Sequence, residues 1–297
     1  KRNRQPQAQA SRDIHEGGSI AASSLVISFS TPLANLWRRR LAGTGNCIGT
    51  AMKASERVAL VVAAHGDRGS ADRNAALKAH TRRIGERNLF AGVFCGVLNG
   101  EPDLAKALRE AEEASCERIL VYPFFMSGGY FVDIKLRERI AAAKLCASVH
   151  VLRPLGLDPA LAGLLLERSI HAACASGFEV GRTALLVVGH GSKRRGASAE
   201  ATEAAARFIR THSPFLEVAT AFIEEKPLVC DTLARLSAPT VIAGFFSGEG
   251  LHGGHDVPAA MRRARAPCVY TRPIGTDPAI AVLIEDAALA ALANLPA

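Results

Sequence analysis

The sequence predicts an α/β protein made of two duplicated domains, each a parallel sheet flanked by helices, facing one another across a cleft. Three observations lead there. The first is an internal repeat. Val58-Ala59-Leu60-Val61-Val62-Ala63-Ala64-His65-Gly66-Asp67 opens one copy, and Ala184-Leu185-Leu186-Val187-Val188-Gly189-His190-Gly191-Ser192 opens the other. Both copies close on a Pro-[LI]-Gly-x-Asp-Pro turn, at Pro154 to Pro159 and at Pro273 to Pro278. A period of about 120 residues is far above that of stacked solenoids and indicates a duplicated domain. The second is alternation. Short Val- and Ile-rich runs, apolar on both faces, are separated by longer amphipathic stretches, the pattern of parallel strands joined by right-handed helical crossovers. The third is size. A chain of 297 residues, 48% hydrophobic and only 5% aromatic, holds two ordinary domains that each bury a core.

In chain order, the first copy predicts strands over 58–63, 90–97, 119–123 and 149–152. The second predicts them over 184–188, 217–222, 240–245 and 268–271. Helices are expected over 72–84, 102–115 and 133–145, then over 198–212, 227–236 and 257–264. Pro102 and Pro227 suit a first helical turn, where the missing N–H costs nothing. Asp158-Pro159 and Asp277-Pro278 read as an N-cap followed by the first helical residue. The helix opened by Asp158 runs to 176 and links the copies through Gly177 to Gly181. The expected domains are thus 52–176 and 177–297.

Residues 1–51 differ from the rest. They hold Gln, Arg and Ser clusters and one short apolar stretch from Ile20 to Phe29, too short to span a bilayer. Arg38-Arg39-Arg40 follow that stretch, whereas a secretory signal carries its basic residues ahead of it. Met52-Lys53-Ala54-Ser55-Glu56-Arg57 leads into the first strand like a natural start. The segment is expected to be an unstructured extension or upstream sequence. It also carries most of the charge: of the net +8, seven Lys/Arg against two Asp/Glu in residues 1–51 supply +5, leaving +3 for the remainder. That excess does not point to nucleic acid, and no basic helix with interleaved aromatics occurs. It suits an anionic small molecule. The seven cysteines are widely spaced with no Cys-x-x-Cys pair, which argues against a disulfide framework, an iron–sulfur site or a zinc ribbon and for a reducing, cytoplasmic setting.

In parallel sheets of this kind ligands sit beyond the carboxyl ends of the strands. Three second-copy residues fall there: His190 after the first strand, Glu224 after the second and His252 in the loop after the third. Two imidazoles and a carboxylate suit a borderline divalent metal, and imidazoles accept protons near neutral pH. Gly66-Asp67 and Gly191-Ser192 are candidates for ligand contact at the start of a helix, but neither loop has the full Gly-x-Gly-x-x-Gly or Walker pattern, so no nucleotide cofactor is expected. The first copy keeps His65, has Asn99 near the place of Glu224, and is expected to have a shorter Gly-rich third loop, with Tyr130 and Phe131 and no histidine. That loop offers either an apolar wall or ordinary packing.

These residues resemble the class II tetrapyrrole chelatases, the sirohydrochlorin cobaltochelatase and ferrochelatase family called CbiX or SirB. The resemblance spans about 58–293. It rests on the paired strand-His-Gly motifs, the Glu-containing turn before Pro227, His252-x-x-x-Asp256-Val257-Pro258 and the repeated closing turns. It implies two Rossmann-like domains around a cleft, in the cytoplasm, and insertion of a divalent metal into sirohydrochlorin without ATP. The metal is a substrate, Co²⁺ ahead of Fe²⁺, with Ni²⁺ open. His190 and His252 would handle the metal and Glu224 or Glu225 would be the acidic helper, with the role of His65 open. Arg194 and Arg195, beside Lys193, would meet the carboxylates of the tetrapyrrole partner, or else form a solvated loop. The implied particle is a monomer with an internal pseudo-dimer, without nucleic-acid or membrane partners. Two other classes compete: a non-catalytic metal or tetrapyrrole delivery protein, and a metal-dependent hydrolase, for which no His-x-x-x-His or bridging Asp pattern is seen.

Overall fold

The computed structural model describes residues 58–66, 74–114, 117–192 and 196–295. The expected extension over 1–51, Asp67, and the start of the first expected helix at 72–73 lie outside them.

Two four-stranded parallel sheets form, as the repeat predicts. The strands are β1 (Val58–Ala64), β2 (Gly92–Val97), β3 (Arg118–Pro123) and β4 (Ser148–Val151), then β5 (Ala184–Gly189), β6 (Glu217–Phe222), β7 (Thr240–Gly244) and β8 (Cys268–Pro273). Their orders are β2-β1-β3-β4 and β6-β5-β7-β8, the same topology twice. In β1 and β5 every residue is buried, because the central strand of a doubly covered sheet has no wet face. The third strand ladder slips between Ile242 and Gly244, where Gly244 pairs with Pro273.

The helices are α1 (Ala75–Gly85), α2 (Leu104–Glu113), α3 (Arg137–Ala142), α4 (Leu161–Ala175), α5 (Ala197–His212), α6 (Val229–Leu233), α7 (Val257–Met261) and α8 (Ile280–Asn294). A π-helical turn precedes α3 at Tyr130–Leu136, and another precedes α7 at His252–Asp256. Ala59, Val61 and Ala63 on one face of the first sheet pack with Leu104, Leu108 and Leu136. The matching core of the second sheet joins Leu186 and Val188 to Val229, Leu233 and Val257.

Three boundaries differ from the sequence expectation. Pro102 and Pro227 are not first-turn residues: each follows a cis peptide bond, and helices begin only at Leu104 and Val229. Their carbonyls accept from Val97 N (2.8 Å) and Phe222 N (2.9 Å), so the chain folds back along the strand end before turning into the helix. Asp103 then caps α2, its carboxylate accepting from Lys106 N at 2.8 Å. Asp158 and Asp277 cap a turn ahead of the helix: each accepts from the backbone two residues on, Ala160 N and Ala279 N, both at 2.8 Å, and the helices begin at Leu161 and Ile280. The third helix of the first copy is short because a π turn occupies its expected start, whereas that of the second begins at Val257 as expected, directly after its π turn, and ends early at Met261.

The closing helices are exchanged. α4, which ends the first copy, packs on β7, β8 and α5, whereas α8, which ends the second, packs on α1 and β3. Leu161, Leu164, Leu165 and Leu166 are buried on α4, and each such side chain contributes about 1.5–3 kcal/mol of burial. Polar contacts fix the same exchange. Arg87 Nη1 donates to Glu285 Oε1 at 2.8 Å, and Arg168 Nη2 donates to Asp277 Oδ1 at 3.2 Å. His80, 1% exposed, meets the carbonyl of Gly275 at 2.8 Å; since a carbonyl only accepts, Nε2 carries the proton. Burial holds the His80 pKa below its ordinary value of 6.5, with Arg83 acting in the same sense, while the Gly275 bond and Asp277 oppose it.

Among the described residues, Cys95, Cys146, Cys174, Cys230 and Cys268 are free thiols. No helix there is long and apolar enough to cross a membrane.

Candidate functional site

A cleft of about 750 Å³ opens between the carboxyl ends of the two sheets, within the usual size range of small-molecule pockets. His65 lines it from the first copy, and His190 and His252 line it from the second. Phe124-Phe125 and Phe245-Phe246, all buried, contribute its apolar lining.

His190 leaves β5 on a constrained turn. Gly191 has φ +72°, and a Cβ there would lie 2.8 Å from both Phe222 Cβ and Glu225 Cγ, so glycine is required. Glu224 N donates to His190 O at 3.0 Å, extending the β5–β6 pairing one step past the strands. Glu225 accepts from Ser192 N at 2.8 Å and so fixes the loop after His190. Gly191 and Ser192, the candidates for ligand contact, also shape and anchor this loop. Glu224 and Glu225 separate cleanly: Glu225 turns to the loop, and Glu224 turns to the histidines.

His252 sits at the start of the second π turn, a local widening of the helix often found at functional sites. That turn sets Asp256 beneath it, and His252 Nδ1 donates to Asp256 Oδ2 at 2.8 Å. His255, exposed, bonds Asp256 Oδ1 at 3.2 Å from the other side. Burial raises the Asp256 pKa, but hydrogen bonds and charge from His252 and His255 outweigh it and hold the carboxyl below its ordinary range. A carboxylate behind a histidine orients the ring and leaves Nε2 for a cation. His190 Nδ1 similarly donates to Gly191 O at 3.0 Å, which leaves its Nε2 as the acceptor.

The two rings meet edge to face, centroids 4.3 Å apart at 85°. His190, Glu224 and His252 each offer one ligand atom, all within 4.8 Å of one another. Two neutral imidazole nitrogens and one exposed carboxylate can hold a borderline divalent cation while leaving coordination positions open.

The first copy carries the same construction with other side chains. His65 follows β1, and Asn99 N donates to His65 O at 3.1 Å. Phe131 packs against the His65 ring, centroids 4.5 Å apart at 62°. The third loop is not shorter, as the sequence suggested. Phe131 lies six residues after Phe125, as His252 lies six after Phe246, and both fall in π turns. Phe131 therefore stands where His252 stands. Both Tyr130 and Phe131 remain exposed beside the cleft, 5.5 Å apart by ring centroids.

Sequence reasoning missed three things here. The support of His252 by Asp256 was legible as an i, i+4 pair, but only once that segment is helical. The anchoring of Ser192 by Glu225 had no signal. Arg83, the one Lys or Arg lining the cleft among the described residues, comes from α1 and lies far in sequence from any motif. Lys193, Arg194 and Arg195 lie outside the described residues.

The CbiX family model matches residues 59–172 and 184–291. A probable sirohydrochlorin cobaltochelatase of Halobacterium salinarum is 26% identical over 225 residues, which is 67% of this chain and 75% of that protein. Among solved structures, CbiX described as the terminal enzyme for siroheme biosynthesis in denitrifying bacteria is 27% identical. The match covers 78% of this chain and 98% of that one, with a TM-score of 0.63. SirB from Bacillus subtilis with Fe³⁺ shares the fold at 16% identity and a TM-score of 0.65, over 80% of this chain and 96% of that one.

Proposed function

The chain belongs to the CbiX family of class II chelatases, and from that membership together with the His190–Glu224–His252 cluster we propose that it inserts a divalent metal into a sirohydrochlorin-type tetrapyrrole. Co²⁺ is the favoured metal substrate, ahead of Fe²⁺ and Ni²⁺, and no nucleotide takes part. The observation that carries the reading is the convergence of three ligand atoms within 4.8 Å beside a cleft lined by both copies.

His190 and His252 present neutral nitrogens to the ion, their other nitrogens being engaged by Gly191 and Asp256. Glu224, exposed, adds charge without closing the site. Such a set holds a cation loosely enough to release it, which a thiolate cage would not. The apolar cleft receives the ring. Its carboxylates meet cations on the rim, Arg83 from α1 and, in this reading, Arg194 and Arg195 after His190. The exchanged helices α4 and α8 support a monomer acting as an internal pseudo-dimer, and the free cysteines support a cytoplasmic setting.

The test is anaerobic incubation with sirohydrochlorin and Co²⁺, Fe²⁺ or Ni²⁺ in parallel, followed by the absorbance change of the ring. Many turnovers are expected with enzyme far below substrate. Ring or metal bound only in stoichiometric amount, without turnover, would instead make this a delivery protein.

A further inference from the structure

The π turn of the first copy is apolar where that of the second is polar. Counted from Phe125 and Phe246, Tyr130, Phe131, Ile134 and Lys135 stand where Leu251, His252, His255 and Asp256 stand. Burial keeps the same register: Val132 and Leu136 are buried, as are Gly253 and Val257. Tyr130, Phe131 and Ile134 are 55%, 44% and 46% exposed, so they do not serve the core beneath them. Single exposed apolar residues need no explanation, but a cluster of two rings and an isoleucine on one turn marks a binding surface.

The patch is continuous with the cleft. Phe131 packs edge-on against His65, a lining residue. Gly129, just ahead, reaches the second copy: a Cβ there would lie 3.4 Å from Ala197 Cβ, next to Ser198 of the lining. The turn is set before any ligand arrives, since Asp133 Oδ2 accepts from Gly129 N at 2.7 Å and Lys135 Nζ lies 5.4 Å from the centre of the Tyr130 ring. The Tyr130 and Phe131 rings cross at 71°, which offers a flat ligand a face from one and an edge from the other. Aromatic surface bordered by the Lys135 ammonium, with Arg83 also in the cleft, complements a conjugated core that carries carboxylates at its edge. Three apolar side chains are far short of the roughly 20–30 residues a side of a protein interface.

On the footing of the chelatase reading above, we propose that Tyr130, Phe131 and Ile134 form the platform on which the tetrapyrrole ring rests. The residues that replaced metal-handling side chains in the first copy then hold the other substrate. The duplication divides the labour across the cleft, with metal gathered by the second copy and macrocycle gripped by the first.

The test titrates the full-length protein anaerobically with metal-free sirohydrochlorin, read by the absorbance of the ring, beside steady-state metallation with Co²⁺. Tyr130→Ala and Phe131→Ala should each raise the Kd for the ring about 10-fold, the upper range for one aromatic contact, and the double variant should raise it further. Tyr130→Phe, which keeps the ring, should bind like the parent. KM should rise with Kd while kcat stays within about threefold, as expected where an interaction is equal in ground and transition states. Co²⁺ affinity should match the parent's, because His190, Glu224 and His252 are untouched. Ring affinity within about twofold of the parent in the double variant, or Co²⁺ affinity lost in step with it, would overturn the proposal. So would a dimeric parent that Tyr130→Ala dissociates, which would assign the patch to a second copy. A parent that binds no sirohydrochlorin would overturn the chelatase reading and this inference together; a parent that binds and metallates it beside an unaffected double variant would overturn this inference alone.

Discussion

Two walls of one cleft share a backbone and differ in three side chains. On the second wall His190, Glu224 and His252 converge, and Asp256 backs His252. On the first, His65 stands with Asn99 and Phe131, and four residues past Phe131 comes Lys135, whose ammonium donates to Glu138 at 2.9 Å. The strand order, the π turn and the bond from the second-strand loop to the histidine carbonyl are the same on both sides. The fold therefore fixes where three side chains meet, and the identity of those side chains fixes what they can do.

Asp256 sharpens the contrast most, since the first copy has no carboxylate in that role. Asp256→Ala should weaken Co²⁺ binding about 10- to 100-fold, the usual consequence of removing a carboxylate that orients a metal-binding histidine, while the melting temperature of the apo protein stays close to the parent's. A metal titration alongside thermal unfolding checks both. Unchanged affinity would mean that the π turn alone positions His252.

A smaller effect runs the other way, from a feature the first copy alone possesses. His65 and His190 are 125 residues apart, as are Asn99 and Glu224, and the same offset places Ala205 opposite His80. His80 joins α1 to Gly275 across the exchanged helices. Burial keeps its folded pKa below 6.5, so the unfolded chain binds the proton more readily. This group's contribution is complete above pH 6.5 and is lost as pH falls from there through the lowered folded pKa. His80→Gln, whose amide can still donate to Gly275, should flatten the decline in stability between pH 7 and pH 5, as read by chemical denaturation at several pH values. An equally steep decline in the variant would assign the acid sensitivity to other groups.

The duplicated α/β architecture was legible because buried parallel strands leave apolar runs such as Val58 to Ala64 and Ala184 to Gly189, and because the copies repeat their turns. The carboxyl-end rule then placed His190, Glu224 and His252 at one end of one sheet, and the structure brings them within reach. What was not legible depends on tertiary contacts. Pro102 and Pro227 look like first-turn prolines, yet their carbonyls are needed by Val97 and Phe222, which holds the chain extended for two more residues. The equivalence of Phe131 and His252 is hidden because a phenyl ring and an imidazole look unrelated in sequence, although both pack edge-on against a histidine. The helix exchange leaves no local trace, since α4 would read the same whichever sheet it covered.

The central claim is that metal handling belongs to the second wall alone, and an equilibrium Co²⁺ titration of three full-length proteins tests it most directly: the parent, His252→Phe, which rebuilds the first-wall arrangement on the second, and His65→Ala. The account predicts one Co²⁺ per chain in the parent, loss of that binding in His252→Phe, and parent-like binding in His65→Ala. Parent-like binding by His252→Phe, or its loss in His65→Ala, would contradict it.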